Sequence, residues 1–168
     1  MQVQERHCVC HVVCCWVGTR PTVVRKMLQL AHVGAEDVVC DLGCGDGRIL
    51  IAAVKDFGAK KGVGYEAREE LYEAAMRNIE RHGLEDRIIV TKGNMFDADL
   101  TEPSVITLYL SNEANELLRP KLEKETKCGT RIVSHQFPIT NWRIASKKAA
   151  GYYAGLVVYL YVTPEAFS

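Results

Sequence analysis

Val38-Val39-Cys40-Asp41-Leu42-Gly43-Cys44-Gly45-Asp46-Gly47 is an apolar strand that takes in an acid and runs straight into a glycine-rich turn. The strand spans Val38 to Leu42, and a helical stretch from Arg48 to Phe57 follows. Gly43, Gly45 and Gly47 give the turn two properties: positive backbone dihedrals at little steric cost, and a bare backbone that a ligand approaches closely. The amides at the start of the helix are then expected to face the cleft above the strand and to hold a carboxylate or phosphate there. The stretch reads as a nucleotide-type binding corner.

Spacing decides which nucleotide. A dinucleotide fold uses G-x-G-x-x-G, with the third glycine packing helix on strand. Here the pattern is G-x-G-x-G with Asp41 ahead of it. About 20 residues on, a second apolar strand from Gly62 to Tyr65 ends in Glu66, an acid placed to meet the two hydroxyls of a ribose. D-L-G-C-G-D-G followed by G-V-G-Y-E resembles the first two motifs of the class I S-adenosylmethionine-dependent methyltransferases. The resemblance implies S-adenosylmethionine as cofactor, and the spacing argues against a nicotinamide protein.

A chain of 168 residues is long enough for one proper core. Hydrophobic residues at 48% and charged residues at 25% are ordinary for a soluble globular protein. Lysine plus arginine number 21, as do aspartate plus glutamate, so a net charge of zero gives no long-range attraction to nucleic acid. The seven cysteines are an odd number, and Cys40, Cys44 and Cys128 fall in or beside strands and the turn, where a disulfide lattice fits poorly. A reducing, cytoplasmic location is the expectation. No apolar run reaches the ~18 residues that span a membrane.

Residues 1–20 read as a cysteine-rich extension, and residues 21–168 as one methyltransferase domain. Cys8, Cys10, Cys14 and Cys15 stand with His7 and His11 in one crowded cluster, which lacks the second knuckle of a structural zinc site; no metal is expected. The apolar run Val9 to Val17 contains His11 and has no A-x-A-like cleavage site after it, which argues against a secretory signal.

From the extension onward, Val24, Met27, Leu28 and Ala31 mark an amphipathic helix over residues 21–32, with Pro21 at its tolerated first position, expected to roof the cofactor. The helix after the turn carries Ile49, Ala52, Ala53 and Phe57 and stops at Gly58; a third, from Arg68 to His82, stops at Gly83. A third strand spans Arg87 to Lys92 and a fourth Val105 to Leu110, followed by a helix with Leu117, Leu118 and Leu122 that Pro120 interrupts. Strand five is Thr130 to Gln136, and residues 146–162 form a hairpin with Leu156 to Val162 as its surer strand. The alternation gives an α/β fold: a Rossmann-like, mostly parallel sheet with helices on both faces and an antiparallel C-terminal hairpin.

Ligands of such sheets bind beyond the carboxyl ends of the strands. Those ends carry Asp41, Glu66, Asn94 and the Leu110-Ser111-Asn112 corner. The methyltransferase resemblance places Asp41, Gly43, Cys44, Gly45, Glu66, Asn94, Met95 and Leu110 against the cofactor, with Asn94 at the adenine amino group. A turn asparagine is the competing reading of Asn94. Tyr109 and Asn112 are the candidates for orienting the acceptor. For Tyr109 the alternative is a core aromatic on a strand.

From Trp16 to Trp142, roughly three quarters of the chain, the sequence also resembles the small archaeal protein-lysine methyltransferases related to the mitochondrial enzymes that act on ATP synthase c-subunit. V-V-R-K-M-L at 23–28, K-G-N-M-F at 92–96, N-E-A-N-E-L-L-R-P-K-L-E-K-E at 112–125 and G-T-R-I-V-S-H-Q-F at 129–137 carry it. It implies protein substrates presenting lysine. Before the first helix that group has V-P-T-P, of which this chain keeps Val17 and Thr19, so Thr19 is a further candidate for cofactor contact. The L-S-N-E corner departs from the N/D-P-P-Y/F of enzymes that methylate adenine amino groups or glutamine, and weighs against both acceptors. RNA or a small metabolite is the alternative acceptor, because cofactor motifs do not name one. His135 in S-H-Q-F reads either as catalytic or as a strand-end histidine satisfied by backbone.

Overall fold

The computed structural model describes residues 17–150 and 156–167. Cys8, Cys10, Cys14 and Cys15, with the metal and secretory readings attached to them, lie outside the described residues.

Strands β1 (Val38–Leu42), β2 (Lys61–Glu66), β3 (Ile88–Lys92), β4 (Val105–Leu108), β5 (Arg131–His135), β6 (Ser146–Ala149) and β7 (Val157–Val162) form one sheet in the order β3-β2-β1-β4-β5-β7-β6. The first five run parallel, and β7 lies antiparallel to both β5 and β6. Central strands are apolar nearly throughout because both faces are covered. In β4 all of Val105, Ile106, Thr107 and Leu108 are buried.

Side-chain alternation sorts the core into two halves. Helices α1 (Pro21–Leu30), α2 (Arg48–Lys55) and α3 (Glu69–Arg81) cover one face, packing Met27, Leu28, Leu50, Val54 and Ile79 with Val39, Val105 and Val133. Helix α4 (Asn112–Glu125) covers the other, packing Leu118 and Leu122 with Cys40, Leu42, Ile106, Leu108 and Ile132. Among the described residues no helix is long and apolar enough to cross a membrane.

Three expectations are corrected. Pro120 does not interrupt α4, which runs unbroken from Asn112 to Glu125. The proline stands on the exposed side, and burial of Leu118 and Leu122 on the opposite side offsets the hydrogen bond it removes. Leu117 belongs to that exposed side at 53% exposure. Strand β4 ends at Leu108, so Tyr109 and Leu110 leave the ladder. Thr130 likewise precedes β5, and Gln136 follows it in the left-handed region at φ 68°.

The strand order reverses at β1, with β2 on one side and β4 on the other. A crevice above the carboxyl ends of β1 and β4 is the consequence, and it is where ligands of open α/β sheets bind.

Candidate functional site

The glycine turn leaves β1 with Gly43, Gly45 and Gly47 at φ 80°, 55° and 78°, all in the region that favours glycine. Four amides of the turn itself have partners within the protein. Gly43 and Cys44 both donate to the Tyr65 carbonyl, at 2.9 and 3.0 Å, and Gly45 donates to Glu66 Oε2 at 2.9 Å. Gly47 donates to the Cys44 carbonyl at 2.9 Å. The turn is thus laced to the end of β2, and its glycines offer bare Cα atoms for a close approach.

Glu66 is 6% exposed and takes one amide on each oxygen, from Gly45 and from Arg68, both at 2.9 Å. Each oxygen of a carboxylate accepts two hydrogen bonds, so one site on each is left. Asp41 is buried on β1 and accepts the Thr107 hydroxyl at 2.7 Å from its partner position on β4. Burial pushes the Asp41 carboxyl up to about 7; the Thr107 hydrogen bond pulls it back, while the charges of Glu66 and Asp46 push it further. Sequence reading missed Thr107, whose signal was a single hydroxyl inside an apolar strand.

The remaining candidates lie around this corner. Cys44 is 4% exposed, and its side chain faces Gly64 of β2 rather than the cleft, so only its backbone is available. The Gly93 amide donates to the Glu66 carbonyl at 3.0 Å, which brings Asn94 and Met95 beside the end of β2. Asn94 is exposed and caps a short 3-10 helix, Met95–Asp97, by accepting the Phe96 amide at 3.1 Å, and its amide group stays free to donate. Met95 and Leu110 are half-buried against the α4-side core along with Tyr65. Thr19 is buried, and its carbonyl accepts Arg48 Nη1 at 3.1 Å, which ties the segment before α1 to the helix that starts at the turn. Helix α1 itself packs on α2, β5, β6 and β7.

The two acceptor-side candidates do not act as a pair. Tyr109 is half-buried and donates weakly to Gln136 Oε1 at 3.4 Å, whereas Asn112 is exposed in the first turn of α4, whose cap is Ser111. Among the described residues His135 is not satisfied by backbone: neither ring nitrogen has a hydrogen-bond partner there.

The site suits a cationic nucleoside cofactor. Asp41 and Glu66 stand close enough to raise the Asp41 carboxyl, and a positive ligand relieves that repulsion. Gly43 faces Leu110 across the turn, where an added Cβ would stand 3.4 Å from Leu110 Cδ2, and its φ of 80° is what calls for glycine there.

The ANTKMT methyltransferase domain matches residues 41–146 of this chain. The chain belongs to that family. This ANTKMT-family protein is an S-adenosylmethionine-dependent methyltransferase. It is 48% identical to a protein-lysine N-methyltransferase of Saccharolobus islandicus (strain REY15A), over 89% of this chain and 94% of the relative. With the adenine nucleotide translocase lysine N-methyltransferase of Mus musculus it shares 30% identity over 76% of its own length and 55% of the mouse protein. The crystal structure of an RNA methyltransferase from Salinibacter ruber with S-adenosyl-L-homocysteine superposes at a TM-score of 0.83 and 40% identity, covering 89% and 95% of the two chains.

Proposed function

We propose that this ANTKMT-family methyltransferase transfers methyl groups to the side-chain amines of lysines presented by protein substrates. The observation that carries the reading is the 48% identity to the Saccharolobus islandicus protein-lysine enzyme along nearly the full length of both chains. S-adenosylmethionine, when bound, supplies an electrophilic methyl group on a sulfonium. Everything else is the work of the chain.

Glu66 uses its two remaining acceptor sites on the ribose hydroxyls, and Gly43 and Gly45 let the cofactor lie against bare backbone. Asp41 balances positive charge from beneath, through the turn. Asn94 donates to the adenine edge from its free amide, with Met95 and Leu110 forming the apolar sides of the slot. Thr19 closes the slot from the segment before α1. Cys44 contributes its backbone. Asn112 meets the substrate protein at the exposed rim, and Tyr109 lines the acceptor channel.

Displacement at a methyl group needs alignment and the exclusion of water more than it needs an obligatory base. The lysine must arrive uncharged, and transfer from water into a half-buried channel lowers its pKa toward that state.

One observation favours a second reading, RNA as acceptor: the name of the Salinibacter ruber protein. A single experiment separates the two. Purified protein is incubated with methyl-labelled S-adenosylmethionine and either a protein lysate or total RNA, and the products are mapped by mass spectrometry. Methyl-lysine in the protein arm is expected; label confined to RNA moves the second reading to first place.

A further inference from the structure

His135 ends β5, and its ring lies 4.2 Å from the Tyr109 ring, centroid to centroid, at an interplanar angle of 37°. It is 4% exposed, and among the described residues both nitrogens are unpartnered. A buried polar group in that state is destabilising, and a phenylalanine would fill the slot without the penalty. Such an orphan in a native protein asks for an explanation, and a catalytic role is one of the few available.

Position says what that role is. Along β4 and β5, Thr107 pairs with Val133, so Tyr109 and His135 stand one repeat further on, on the sheet face that also holds Asp41. This is the carboxyl-end crevice, on the acceptor side of the corner after β4. Burial pushes the imidazole down to about 4, so at neutral pH it is uncharged and one ring nitrogen offers a lone pair. Tyr109 covers the ring and is held loosely. It lies beyond the end of its strand, and its 3.4 Å hydroxyl contact with Gln136 is longer than a well-formed hydrogen bond.

The geometry points to His135 as the residue that orients the acceptor: with Tyr109 turned aside, a ring nitrogen accepts one N–H of the uncharged lysine amine and aims the amine's lone pair at the cofactor. The imidazole takes a hydrogen bond and no proton changes hands, so a weakly basic histidine is the right one. This role rests on lysine being the acceptor.

The test uses the full chain. His135→Phe is expected to lower the turnover of lysine methylation by about 30-fold, the rate equivalent of one lost orienting hydrogen bond, while affinity for S-adenosylhomocysteine stays at the wild-type value and the melting temperature holds or rises. His135→Gln, which keeps an acceptor, recovers turnover to within about 5-fold of wild type. Independently of activity, the wild type labelled with 15N-histidine should show a ring-nitrogen resonance, assigned by its loss in His135→Gln, that moves when S-adenosylhomocysteine and a lysine peptide are added together. A fully active His135→Phe enzyme, or a ring resonance that ignores the peptide, overturns the role of His135 alone. A wild type that places no methyl on lysine overturns the acceptor reading, and this role with it.

Discussion

The Gly45 amide donates to Glu66 Oε2 at 2.9 Å, so the acid at the end of β2 holds the turn after β1 in place while it faces the cleft. Its other oxygen takes the Arg68 amide, which fixes the start of the segment leading into α3. One side chain therefore sets two pieces of backbone. Glu66→Gln replaces one oxygen by an N–H donor that must face either Gly45 or Arg68, both of which are donors themselves. Affinity for S-adenosylmethionine is expected to fall by about 10- to 100-fold, matching the loss of one or two charge-assisted hydrogen bonds. Titration calorimetry reads it directly, and a change of less than about 2-fold sinks the assignment.

Gly64 tests the same joint from the sheet side. A Cβ there would stand 2.8 Å from both Cys44 Sγ and Leu50 Cδ1. Gly64→Ala must push the turn off β2 or displace the inner side of α2, and overpacking of this kind destabilises by about 1–3 kcal/mol. Thermal melting should drop and cofactor affinity should drop with it. Adding Cys44→Ala removes the sulfur but leaves Leu50, so recovery should be partial. Wild-type melting and affinity in the single variant would show that the turn does not rest on this contact.

The parts of this arrangement that could be read in the sequence are the ones whose cause is local. An apolar run, an acid and three glycines announced β1 and its turn, and Gly62 to Glu66 announced the strand beside it, because period and backbone freedom are written in neighbouring residues. What escaped depends on partners distant in the chain. Nothing in the turn's own residues announced that β2 would supply the Tyr65 carbonyl and Glu66 as partners for its amides. Pro120 looked like a break until the burial of Leu118 and Leu122 against the sheet held α4 together across it. Of the two readings of His135, the one with a backbone partner falls away, because the packing of the described residues provides none.

At the opposite end of the sheet, Asp37 makes a stability contact that should leave the site untouched. It accepts Ser104 Oγ at 2.7 Å and the Gly34 amide at 2.8 Å, and pairs with Arg131, whose Nη1 also reaches the Ala31 carbonyl at 2.6 Å. Asp37→Ala strands these donors, and breaking a buried pair costs about 3 kcal/mol, the low end of the range because Arg131 keeps some contact with water. Urea unfolding should show that loss. Cofactor affinity should stay within about 2-fold, given independent sites, and a larger shift would mean that the two ends of the sheet are coupled.

Asp41 gives the protein a pH signature of definite sign. Burial pushes its folded-state carboxyl up to about 7, against ~3.9 for an unfolded aspartate. Between those values the folded protein keeps a proton that the unfolded chain has released. The folded state therefore binds more protons, and this group makes stability fall as pH rises from about 4 to about 7. Below that window both states are protonated and the contribution vanishes; above it the penalty is complete and constant. Asp41→Asn cannot ionise, so the wild-type melting temperature minus that of the variant should decline from pH 5 to pH 7.5 by a few degrees, at about 2–4 °C per kcal/mol for a chain of this size. A cation in the cleft favours the ionised form, so affinity for the sulfonium cofactor should rise over the same window and rise less for S-adenosylhomocysteine, whose sulfur is neutral. A difference curve that stays flat from pH 5 to pH 7.5 would falsify the raised carboxyl. A cofactor affinity that ignores pH in that range would leave Asp41 as a structural partner of Thr107 and no more.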